Sequence, residues 1–124
     1  MAVPTSDGEH TRNWELLALR VRLALAPDEP RVLHHFLKQG ENLPPRSGRT
    51  PVSVNEFMAK LLLDTAADTT LPLHWRMQCL DHCYRPLQTL ASLLRNDTDA
   101  QRLRNLSTRL ARFHLIIDNP ENTP

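Results

Sequence analysis

Seven residues, Leu73, Met77, Leu80, Tyr84, Leu87, Ala91 and Leu94, recur at alternating steps of four and three across one stretch of this chain. That spacing puts all seven on one face of an α-helix, whereas a strand would need a period of two. The stretch predicts a long amphipathic helix around which the other segments pack. Pro86 interrupts it, removing one backbone donor and crowding the carbonyl four residues back. A kink near Tyr84, or two helices meeting there, is the expectation.

The residue types agree. Leucine supplies 22 of 124 residues, while isoleucine occurs only at Ile116 and Ile117. Leu and Ala lose little rotamer freedom in a helix, and β-branched residues are those that favour strands. The fold class read from this is all-α, a compact bundle of about five helices with two long C-terminal ones. The length fits one domain. Residues 1–12 read as a loose polar arm, 13–118 as a single helical domain and 119–124 as a polar tail.

Local signals set the other helices. The first runs from Trp14 to Ala26, with Thr11 or Asn13 as N-cap. Trp14, Leu17, Val21 and Leu25 share a face, with Leu16, Leu19 and Leu23 on or beside it. Leu19 to Leu25 also alternates with period two, but length and Leu/Ala content favour helix. Pro27-Asp28-Glu29-Pro30 opens a second helix that buries Val32, Leu33, Phe36 and Leu37, and Gly40 stops it. Glu41 to Pro51 holds Pro44, Pro45, Gly48 and Pro51 and reads as an exposed loop. Ser53 with Glu56 matches a capping box, flanked by Val52 and Phe57 at the staple positions. That third helix ends near Ala67. Thr69 or Thr70 can cap the fourth, with Pro72 in its first turn. Thr98 with Gln101 offers a second capping box for a fifth helix carrying Leu103, Leu106, Leu110, Phe113 and Ile117.

Several function classes are disfavoured. Formal net charge is +1, from 15 basic and 14 acidic residues, whereas sequence-independent nucleic-acid binding draws on a strong basic excess. Arg102, Arg109 and Arg112 flank the stripe of the fifth helix, but they read as a solvated face whose stems cover the core edge. No apolar run approaches a membrane span. The N-terminus has neither a basic n-region nor an apolar h-region, so no secretory signal is expected and the two cysteines read as reduced thiols of a cytoplasmic protein.

Cys79, His82 and Cys83 form the sharpest chemical cluster and are the weak metal candidates, since all three are zinc-ligand types. No second ligand pair accompanies them, and structural zinc sites place such pairs on turns. The simpler account is two small thiols packing beside a surface histidine. Cys–His catalysis would need an activated thiolate and an oxyanion pocket, and no glycine-rich turn near these residues supplies one. His34 and His35 are adjacent, about 100° apart on a helix, and cannot readily share a metal. Phosphate-cradling glycine motifs are absent. No catalytic residue, no cofactor and no enzymatic activity is expected.

A better lead lies in apolar balance. Two leucine stripes, a Leu/Val-rich first helix and tryptophans at Trp14 and Trp75 exceed what a small bundle readily hides, so part of this surface is expected to meet another chain.

The short polar arm, the Trp14-Glu15-Leu16-Leu17 helix, the proline loop and the two long C-terminal helices resemble the plan of the small helical antiactivators of quorum sensing, of the kind that bind the LuxR-type regulator LasR. The resemblance rests on size, helical layout and Leu/Arg-rich style, not on a diagnostic motif. It implies a helical homodimer that binds the activator's ligand-binding domain, blocks the activator's dimerisation and keeps it off DNA, with no cofactor and no direct nucleic-acid contact of its own. Competing with a dimer interface calls for a rigid apolar face with large anchors. Trp14, Leu17, Arg20 and Val21 are the expected partner-binding set, and Leu103, Leu110, Phe113 and Ile117 the expected self-association set. The alternative reading is a cytosolic helical chaperone or adaptor for another protein.

Overall fold

The computed structural model describes residues 7–44 and 48–118, and the side chains of these except residues 7 and 114–118. Five helices follow one another: α1 Asp7–Arg22, α2 Arg31–Glu41, α3 Pro51–Ala67, α4 Leu73–Ser92 and α5 Asp97–Asp118. No strand occurs among the described residues, and the all-α bundle read from leucine usage is what forms. Within the described residues no helix is long and apolar enough to cross a membrane.

The helix at the centre is α3, not α4. It touches each of the other four helices and packs most extensively on α4. Val54, Met58, Ala59, Leu62, Leu63 and Ala66 are all buried along it, each large side chain contributing about 1.5–3 kcal/mol relative to exposure. A helix apolar over most of its circumference is one surrounded by others. Its start is fixed by a capping box one turn earlier than Ser53 suggested. Thr50 is the N-cap: Ser53 N donates to Thr50 Oγ1 at 3.1 Å, and Thr50 N donates to Ser53 Oγ at 3.0 Å. Pro51 stands at the first helical position, where its missing N–H costs nothing. Glu56 is left to pair with Arg102 of α5 at 3.7 Å.

α1 begins at Asp7, inside the stretch read as a loose arm, so neither Thr11 nor Asn13 caps it. The anchors Trp14, Ala18 and Val21 hold one side of the helix in the core, and the polar turns before them extend it. It ends sooner than Ala26. Ala24 N donates to Val21 O and Leu25 N to Arg20 O, with Ala24 at φ 50. This is the Schellman arrangement, with alanine where glycine is usual.

α2 buries Val32, Leu33, Phe36 and Leu37 as expected. Gly40 does not stop it. It lies inside the helix and is buried, because a Cβ there would run into Met58 Sδ and come within 2.8 Å of Trp14 Nε1. The glycine admits close helix approach.

α4 runs unbroken from Leu73 to Ser92 with Pro86 inside it, buried. No side chain caps its start: Pro72 holds the N-cap position, and Thr70 is engaged with Asp68 instead. The inward face is Trp75, Cys79, Leu80, Cys83, Leu87 and Leu90. The regular stripe is therefore rotated off the core, and its members Leu73, Met77, Tyr84 and Leu94 are exposed. Where α3 sits decides this, and helical period alone cannot. α5 is capped by Asn96, whose Oδ1 accepts from Asp99 N at 2.8 Å, and Gln101 instead bonds Asn105 and Arg104.

Candidate protein-docking surfaces

α1 carries apolar residues on two opposite sides. Trp14 and Val21 are completely buried and Ala18 nearly so. At ~100° per residue, Leu16, Leu19 and Leu23 form a second row on the far side of the helix. Each of the three is 54% exposed. Leu23 lies just past the helix end but stays in line, since its N–H donates to Leu19 O at 2.9 Å. Leu25, assigned by period to the Trp14 side, lies beyond the Schellman turn and is exposed.

This corrects the expected partner-binding set. Trp14 is the centre of an aromatic stack, 5.8 Å from Phe36 and 5.2 Å from Phe57, with the Arg49 guanidinium 5.1 Å above its ring. Trp14 and Val21 are thus core residues, unavailable to a partner. Leu17 is half-buried against the core and only Arg20 is exposed. The residues that face outward are Leu16, Leu19, Arg20 and Leu23. Apolar residues on both sides of α1 hid which side packs inward, although Trp14 with Ala18 and Val21 at 3/4 spacing was the available signal.

A second apolar surface lies between α4 and α5. Tyr84, Leu87 and Ala91 face Leu103, Ser107 and Leu110 across a groove of about 330 Å³. Of the expected self-association set, Leu110 is buried, Leu103 and Phe113 are half-buried against the core, and the Ile117 side chain lies outside the described residues. Leu110 is therefore floor rather than crest. Two of the α5 arginines, Arg102 and Arg109, are engaged too. Arg109 meets Asp64 of α3 at 2.8 Å and Arg102 meets Glu56, so they clip α5 onto α3.

The cysteines face inward. Cys79 and Cys83 are both fully buried on the α4 side that packs on α3, and Cys83 Sγ lies 3.7 Å from Ala59 O. Burial pushes each thiol up to about 12, the reverse of what a nucleophile or a metal-bound thiolate requires. His82 uses Nδ1 on the Gln78 carbonyl at 2.8 Å, an i−4 contact along its own helix. Among the described residues no group of three or more metal-ligating side chains comes together. Comparison with protein-family models, with curated proteins and with solved structures finds no match to this chain.

Proposed function

We propose that this protein is a non-enzymatic, protein-binding regulator that works in the cytoplasm by docking the outer face of α1 on its partner. The observation that carries the reading is the row Leu16, Leu19 and Leu23, three leucines each 54% exposed on the side of α1 turned away from the core. A helix apolar on both sides leaves one side wanting a partner. Arg20 flanks that row and is exposed, and an arginine beside leucines suits a docking anchor. Placing the anchor on a helix also held by Trp14 and Val21 limits the entropy lost on binding.

The specific form of the proposal is an antiactivator of a LuxR-type transcription regulator, supported by the likeness of helical plan. The chain acts as a homodimer, occupies the regulator's own dimerisation surface and keeps it off DNA. The α4–α5 groove, with Leu110 in its floor and Leu103 on its side, is the face assigned to self-association. The test is the regulator's retention on labelled operator DNA, with inducer saturating, as the protein is added. Stoichiometric loss of retention supports the reading. Retention unchanged at a large excess of the protein rejects it.

A further inference from the structure

Among the described residues no charged side chain lines the α4–α5 groove, whereas the hollows between α1 and α3 and between α2 and α3 each hold both an acid and a base. In a chain with 23% charged residues, such a face is suited to another that is itself uncharged. Leu87 and Leu110 are buried in the floor of the groove. Its rim is uneven. Tyr84 is bulky and 46% exposed at one end of the α4 wall, while Ala91, Ser107 and Ala111 are small and exposed. Tyr84 and Ala91 stand two turns apart on nearly the same line of α4, ~10 Å from one another along the axis. Gln88 lies close to their midpoint and is exposed.

We infer that a second copy of this chain occupies the groove, its α4 antiparallel to the first and the two-fold axis crossing α4 beside Gln88. The inference rests on the self-association assigned above and specifies how the copies meet. Charge is the first argument. In an isologous contact a residue near the axis faces its own image, so a charge there would repel itself, and this lining has none. Shape is the second. The same two-fold lays Tyr84 of each copy over Ala91 of the other, a large side chain against a small one at both ends of the contact. The protruding ring and the recess that receives it thus belong to one self-complementary surface. Area is the third. α4 has 20 residues, a length of ~30 Å. With α5 alongside at ~10 Å, the face offers about 600 Å² per copy, ~1,200 Å² for the pair, the lower end for a specific stable interface.

The experiment is the light-scattering mass of the full chain over about a hundredfold range of concentration. Wild type is expected to be a dimer. Gln88→Glu and Gln88→Lys, each with wild-type helix content, are expected to dissociate at least about tenfold more readily, because each new charge meets its own image. Mixed in equal amounts, the two variants are expected to recover the dimer, since opposite charges then face each other across the axis. Tyr84→Ala is expected to weaken the pair by about tenfold or more. A monomeric wild type, Gln88 variants that both pair as wild type does, or a mixture that fails to recover the dimer overturns the inference. If the Gln88 pattern appears while wild type leaves the regulator on operator DNA, the pairing stands and the proposed function falls. If wild type displaces the regulator but its mass ignores the changes at Gln88 and Tyr84, the pairing falls and the proposed function stands.

Discussion

The indole Nε1 of Trp75 donates to the Val21 carbonyl at 2.9 Å, tying the start of α4 to the end of α1 across 54 residues. The same carbonyl also accepts from Ala24 N at 3.2 Å. Arg22 reaches Asp68 beside it, and Arg76 Nε donates to Ala66 O at 2.8 Å. Three helix ends therefore meet in one hydrogen-bonded junction. The orphan carbonyls of α1 and α3 find donors there that their own helices lack.

That junction holds Ala24 in the left-handed region at φ 50, which costs an L-residue about 1 kcal/mol or more. Ala24→Gly relieves the strain at a C′ position where glycine is the common occupant. The expected result is a gain of up to about 1 kcal/mol in urea denaturation, with m unchanged.

Gly40→Ala acts in the opposite direction. The new Cβ meets Met58 Sδ and Trp14 Nε1, both on fully buried side chains. The helix-propensity gain of about 1 kcal/mol is outweighed by overpacking of about 1–3 kcal/mol. A lower denaturation midpoint and altered Trp14 fluorescence are expected. A stabilised variant would mean that Gly40 acts as no more than a weak helix residue.

Asp68 gives the fold an acid-sensitive contact. The Thr70 hydroxyl, then Arg22, hold its carboxyl at about 2, below the ordinary 3.8. A depressed folded value stabilises above the unfolded one and loses that contribution as pH falls through the folded one. The stability difference between wild type and Asp68→Asn should therefore be constant above about pH 4 and shrink towards pH 2. A difference independent of pH across that window would contradict the contact.

Cys79 and Cys83, pushed up to about 12 by burial, should be protonated at neutral pH and closed to reagent. Labelling with a disulfide reagent is expected to be slow in native buffer and to go to two thiols in denaturant. Rapid labelling of either at neutral pH would place it on an accessible surface.

Much of the fold was legible because helix formation is local. Leucine abundance, proline punctuation and 3/4 spacing gave five helices and, for α2, the four large buried side chains Val32, Leu33, Phe36 and Leu37. What failed was non-local. The stripe from Leu73 to Leu94 is regular, yet Trp75, Cys79 and Cys83 point inward because α3 lies on that side. Gly40 resembles a stop signal until Trp14 and Met58 are placed against it. Thr50 outcompetes Ser53 as the cap because Pro51 begins the helix. On α1 both sides read as apolar, and only packing separated the Trp14 and Val21 side from the Leu16, Leu19 and Leu23 side. The proposed surface therefore shares its helix with the set read from the sequence but lies on the opposite face, because Trp14 and Val21 are buried.

The proposed function requires the outward leucine row of α1 to capture a partner. Light-scattering mass of the protein mixed with an inducer-saturated LuxR-type regulator, for wild type and Leu19→Glu, decides whether it does. A defined complex with loss of the regulator's own dimer is expected for wild type, and two separate species for a folded Leu19→Glu. A wild-type protein that leaves the regulator dimer intact, or a Leu19→Glu variant that still forms the complex, would contradict it.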